Sequence, residues 1–147
     1  DEIGWTSRLD SIQAAFLSIK LKFLDALNRE RRAVAERYHK KLAGLPLGLP
    51  KEPAAAYHVY HIYVVRVPDG KRDALKAHLA ADGIPTMVHY ATPVHAQPIM
   101  KKHKTRKVEL PVTERLREEV LTLPLFPGMT GPEVDAVAQS IRRFYKS

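Results

Sequence analysis

Seven histidines in 147 residues are the side chains best placed for chemistry near neutral pH, because an imidazole can donate, accept or ligate there. Two groups stand out: His58 with His61, and His89-Tyr90 with His95. The spacing argues against a metal site at either. On a strand His58 and His61 would face opposite sides, and neither group has a carboxylate or a third ligand nearby in sequence. His61 reads instead as a strand histidine satisfied by hydrogen bonds. The second group closes a short extended run and enters a Pro-punctuated loop, a setting in which polar groups are displayed for binding. Two readings of it stand: contact with a ligand, and ordinary loop packing.

Other chemistries find no motif. The chain has no Cys, which excludes a disulfide framework, thiolate metal sites and a cysteine nucleophile. There is no G-x-S-x-G, no P-loop and no Gly-rich dinucleotide turn, and only seven Gly in all make phosphate cradles of those kinds a poor fit. The net charge of +8 suggests nucleic acid until it is located. The run Lys101, Lys102, His103, Lys104, Thr105, Arg106, Lys107 alone carries five cations. It reads as a loop, without aromatic interleaving, helix-turn-helix spacing or zinc-finger spacing. A nucleic-acid partner is not expected; a solvated surface or a clamp for a phosphorylated small molecule is.

The elements that must position these groups follow from periodicity. Residues 8–43 contain neither Pro nor Gly, and Gly44 and Pro46 then supply stop signals. Apolar residues recur at Leu9, Ile12, Phe16, Ile19, Phe23 and Leu27, with a second stripe at Leu17, Leu21 and Leu24. After Leu27 only Val34, Tyr38 and Leu42 continue one face. A straight helix over that stretch would span roughly 54 Å at about 1.5 Å per residue, whereas a compact domain of this size is roughly 40 Å across. A break near residues 18–22 is therefore expected, with the front half packed on a missing domain or a second subunit.

Residues 57–67, YHVYHIYVVRV, are dense in β-branched and aromatic types and predict a strand, ended by Pro68, Asp69 and Gly70. A helix over 71–81, a short strand over 86–90, a helix over 113–121 capped by Thr113, an extended piece over 123–126 and a last helix from Gly131 follow. This is an α/β (α+β) fold with a small antiparallel or mixed sheet of about three strands covered by helices. The division expected is a helical segment over 1–50 that links to a missing large domain or partner, and a small α/β domain over 51–147. With 45% apolar residues and no run of eighteen apolar residues, no membrane span is expected. The start at Asp1 and Glu2 lacks a signal peptide's basic and apolar regions, so cytoplasm is the default location. The chain begins without Met, which suggests a piece of something longer.

In combination several stretches are familiar. GWTSRLDSIQAAFLSIKLKFLDALNRERRAVAERY, YHVYHIYVVRV, GIPTMVHYATPVHAQP and VTERLREEVLTLPLFPGMT resemble, in that order, the C-terminal part of the DegT/StrS family of pyridoxal-phosphate sugar aminotransferases. The ordered set R-L-D-x-x-Q-A-A, H-Y-x-x-P-x-H and E-x-L-x-L-P-L-F-P-G-M-T carries the resemblance, which covers nearly the whole chain. It implies the small domain of a fold-type-I homodimeric enzyme that moves an amino group from glutamate or glutamine to a keto group of a nucleotide-linked sugar. The family's Schiff-base lysine sits in an upstream motif, and no lysine here has that setting. The acidic and aromatic partners of the cofactor ring also lie upstream in the family.

Some family contacts map onto this chain by resemblance. The family segment G-x-N-x-R reaches into the neighbouring subunit, its Asn to the cofactor phosphate and its Arg to the substrate diphosphate. Here it reads Gly4-Trp5-Thr6-Ser7-Arg8. Arg8 fits, since a guanidinium suits a phosphate pair by geometry and charge. Thr6 departs from the Asn, being shorter and able to donate one hydrogen bond; it would be the cofactor-phosphate contact or, alternatively, a helix N-cap. His89, Tyr90 and His95 resemble the family loop over the sugar pocket. The implication for this chain alone is a piece without catalytic residues or retained pyridoxal phosphate. A stand-alone dimerisation or sugar-nucleotide binding module is the alternative.

Overall fold

A computed structural model describes residues 8–102 and 109–146, with only the backbone described at Lys101 and Lys102. Among these residues the chain forms helices α1 (Ser11–Leu21), α2 (Leu24–Leu42), α3 (Arg72–Ala81), α4 (Pro98–Lys102), α5 (Pro111–Glu119) and α6 (Gly131–Phe144), with strands β1 (Tyr63–Arg66) and β2 (Val120–Leu123).

β1 and β2 pair antiparallel, Tyr63 opposite Leu123 and Val65 opposite Leu121. Because strand side chains alternate, these four residues share one face and are buried, while Val64, Arg66, Val120 and Thr122 take the other. The first face meets α2, α3 and α6 in a single core that includes Tyr38, Leu42, Leu75, Leu79, Val134 and Ile141. Val34 and Ala35 of α2 belong to the same core. Tyr38 stacks tilted on Tyr63 at 5.0 Å between ring centroids and donates its hydroxyl to the Pro124 carbonyl at 2.8 Å. A polar clamp joins α3 to α6: the buried Ser140 hydroxyl and the Arg143 guanidinium both donate to Asp82, which holds that carboxyl below its usual range.

The expected break in the long helix is present at the end of its window. α1 stops at Leu21, α2 starts at Leu24, and Lys22 and Phe23 bridge them through amides bonded to Ile19 and Lys20 carbonyls. Asp10, not Thr6, caps α1, accepting from the Ile12 amide at 2.8 Å; Thr6 itself lies outside the described residues. No residue of α1 is buried. Ile12, Phe16, Ile19 and Leu21 are all more than half exposed, and a groove of about 440 Å³ runs between Leu9, Leu17, Leu21, Leu24 and Leu27. The stop after α2 is as expected, Gly44 taking a φ of 79° that an L side chain would resist.

The strands are shorter than the sequence suggests. Residues 57–62 are not strand: Tyr60 has a φ of 49°, incompatible with extension, and local hydrogen bonds hold the segment instead. Glu52 accepts from the His58 amide at 3.0 Å, Arg32 donates to the His58 carbonyl at 2.6 Å and to Glu52 at 2.7 Å, and the guanidinium lies 4.2 Å from the Tyr57 ring centre. His61 is exposed in a bend, its carbonyl accepting from Arg31 at 3.2 Å, so the strand-histidine reading is corrected. The expected strand over 86–90 reduces to one bridge, Met87 to Thr122. The strand expected at 123–126 lies earlier, at β2. The helix expected at 113–121 starts at Pro111 after Leu110 and ends at Glu119, so Thr113 is inside it rather than its cap. Pro supplies the first-turn conformation with no amide to satisfy.

Replacing Tyr38 by Phe should remove the bond to Pro124 while keeping the ring. A loss of about 1 kcal/mol is expected, seen as a melting temperature lower by about 2–4 °C; an unchanged melt would mean that this bond does not hold α2 to the end of β2.

Candidate functional site

The sequence-derived site residues His89, Tyr90 and His95 come together on the outward side of β2. Met87 exchanges both backbone hydrogen bonds with Thr122, at 3.2 and 2.7 Å, which lays the following residues along the strand edge. Thr122 turns away from the core face, and its hydroxyl and His89 Nδ1 lie 2.9 Å apart in a hydrogen bond. The Tyr90 ring stands perpendicular to the His89 ring at 5.2 Å between centres and is 73% exposed. The chain then turns through a 3-10 segment, Val94–Ala96. Ala96 and Gln97 amides bond back to Pro93 and Val94 carbonyls, and the Gln97 side chain donates to the Thr92 carbonyl at 3.0 Å.

That turn aims His95 at α5. His95 Nε2 meets Glu114 Oε1 at 2.5 Å, and the second oxygen of Glu114 accepts from Arg117 at 3.1 Å. The His95 hydrogen bond and then the Arg117 charge hold the Glu114 carboxyl below its ordinary range; its place in the first turn of α5, near the positive end of the helix, acts the same way. Between the loop and α5 lies a pocket of about 720 Å³. Val94, Leu116 and Val120 give it apolar walls, while His89, Tyr90, His95 and Arg117 supply polar groups. Such a lining suits a ligand with an apolar face and several hydroxyl or phosphate oxygens.

Sequence patterning does not mark Thr122, Glu114 or Arg117 as site residues, although Glu114 reads as a first-turn helix acid. Thr122 also carries a signal, as the polar residue between two apolar ones on a strand. Arg8 is exposed and does not line the pocket, and residues 103–107 of the basic run lie outside the described residues.

A Schiff-base cofactor would need a lysine beside it. Of the lysines whose side chains are described, Lys20, Lys22, Lys40, Lys41, Lys51, Lys71, Lys76 and Lys146 are all exposed and none lines this pocket. The described residues therefore do not by themselves fit a pyridoxal-phosphate centre. Among them there is also no group of three or more metal-ligating side chains, and no helix long and apolar enough to cross a membrane.

This mixed α/β fold is the one found in pyridoxal-phosphate aminotransferases. The crystal structure of S. venezuelae DesV in complex with a ketimine intermediate superposes with a TM-score of 0.88 at 38% identity, covering 100% of this chain and 39% of that one. The model of the DegT/DnrJ/EryC1/StrS aminotransferase family matches residues 1–142, and the chain belongs to that family. A pleiotropic regulatory protein of Geobacillus stearothermophilus is 40% identical over 147 residues, 98% of this chain and 39% of the relative. A UDP-N-acetyl-3-dehydro-alpha-D-glucosamine 3-aminotransferase of Acidithiobacillus ferrooxidans is 39% identical over 143 residues, 97% of this chain and 38% of the relative. The chain thus spans about two fifths of the length of these relatives.

Thr122→Val keeps the β-branched shape on β2 but removes the hydroxyl. The ring resonances of His89 should shift while those of His95 stay in place. Unmoved His89 signals would show that Thr122 does not hold that ring.

Proposed function

We propose that this chain is the C-terminal, small-domain portion of a pyridoxal-phosphate-dependent nucleotide-sugar aminotransferase, contributing substrate contacts rather than the catalytic lysine. The supporting observation is the convergence of His89, Tyr90 and His95 on one pocket in a chain that matches the family over residues 1–142. In the complete enzyme the cofactor would carry the amino group from glutamate or glutamine to a keto sugar, and its lysine would come from a preceding large domain. Residues 1–50 would join that domain to the small domain at 51–147, in a cytoplasmic homodimer.

Within this reading His89, Tyr90 and His95 meet the sugar. Arg8 reaches the substrate diphosphate in the neighbouring subunit, and Thr6 meets the cofactor phosphate there. The apolar face of α1 is then covered by the large domain or by a second copy. A stand-alone module that binds sugar nucleotide or dimerises without catalysis is the second reading, favoured by a continuous core formed from residues 34–141 alone.

Two measurements bear on this. The groove along Leu9, Leu17 and Leu24 is large and apolar enough to seek a partner, so sedimentation of the purified chain should show a dimer or larger. A monomer that binds no dye for exposed apolar surface would contradict it. Titration calorimetry with a nucleotide diphosphate sugar at two salt concentrations should give weak, salt-sensitive binding that Arg8→Ala reduces more than Lys101→Ala. Equal losses would mean that only diffuse charge is felt.

A further inference from the structure

We propose that Glu114 is a positioning residue for His95: it fixes the proton on Nε2 and holds the ring across the pocket, so that Nδ1 is the nitrogen offered to a ligand. The proposal rests on the reading of this pocket as a sugar-nucleotide site and adds to it a residue that need not touch the sugar.

The chemistry of the pair dictates the tautomer. An ionised carboxylate only accepts, so Nε2, 2.5 Å from Glu114 Oε1, must carry its hydrogen. Nδ1 has no partner among the described residues, and His95 lines the pocket. Neutral His95 therefore presents a lone pair there, the complement of a sugar hydroxyl. Charged His95 presents an N–H, the complement of a phosphate oxygen.

The geometry around the carboxylate shows why it can do this. Glu114 is fixed from the far side by Arg117, which donates to its other oxygen at 3.1 Å and is itself held by Glu118 at 2.9 Å. Its backbone is bonded into α5 through the Leu110 carbonyl at 2.9 Å. The His95 backbone is fixed independently by its 3-10 turn. The contact thus ties two rigid pieces, nineteen residues apart in sequence, and leaves the imidazole one orientation. His89 is held by a different group, the Thr122 hydroxyl, so loosening His95 should leave His89 in place.

The test has a ligand-free arm and a ligand arm, both on the full chain. A long-range proton–nitrogen correlation spectrum of His95 should show a single ring form protonated at Nε2. Glu114→Ala should give a mixture of tautomers with unchanged His89 signals, and Glu114→Gln, which keeps an acceptor oxygen, should stay close to the parent. A parent ring protonated at Nδ1, or a spectrum that Glu114→Ala leaves unchanged, would overturn the proposal. With UDP-N-acetylglucosamine as the probe, Glu114→Ala and His95→Ala should each weaken binding by about three- to tenfold. The double variant should be no weaker than His95→Ala alone, since a residue that acts through another has no further effect once that other is gone. Additive losses would overturn it. Melting temperatures of all variants separate these effects from unfolding. A parent chain that does not bind the probe counts against the sugar-nucleotide reading, and the ring spectrum then decides on its own for or against the role of Glu114.

Discussion

The register of the short β1–β2 ladder is the constraint on which the rest depends. Four residue pairs fix it, and a slip by one residue would exchange the two faces completely. Leu121 and Leu123 would leave the core they share with Tyr63 and Val65, and Thr122 would enter it. The same slip would remove the hydroxyl that holds His89 and the backbone partner that holds Met87. Core and site are therefore two faces of one pairing, and α2, α3 and α6 keep it in register by burying only one of them. The polar ties at the edges, Tyr38 to Pro124 and Ser140 to Asp82, work toward the same end.

With one face committed to the core, the other carries the pocket, and its groups are held to different degrees. His89 and His95 are pinned by Thr122 and Glu114, while Tyr90 is exposed beside them. On the proposed reading that combination, two oriented imidazoles and an open phenol over apolar walls, meets the sugar. The lysines whose side chains are described are exposed, and none lines the pocket. The apolar stripes of α1 are exposed, and on the same proposal the large domain or a second copy would cover them.

The helices were largely legible in the sequence because their ends are written in single residues. Gly44 and Pro46 close α2, Asp82 and Gly83 close α3, and Gly131-Pro132 opens α6, each through a backbone preference that needs no tertiary context. The break between α1 and α2 was legible from length alone. Strands were less so, because β-propensity in residues 57–62 is overridden by a local network: Arg32, Glu52 and the His58 backbone satisfy one another before a neighbouring strand can. β2 is only four residues long and offers no partner that far along β1. In the site, the three ring residues were legible as a cluster at a strand end and by family resemblance. Glu114 and Thr122 were not, since each acts through a contact nineteen or more residues distant that periodicity does not encode. Thr6 and the basic residues 103–107 fall outside the described residues.

On the proposed reading, this chain supplies substrate contacts to an aminotransferase whose catalytic lysine lies elsewhere. The most direct test is amino transfer from glutamate to a keto sugar nucleotide by the purified chain with pyridoxal phosphate, with and without an added large domain. Colour from the cofactor is not a readout, because surface amines form imines with it freely. The proposed reading requires no turnover by the chain alone and turnover when the large domain is added. Turnover by the chain alone that a single Lys→Ala substitution abolishes would contradict it.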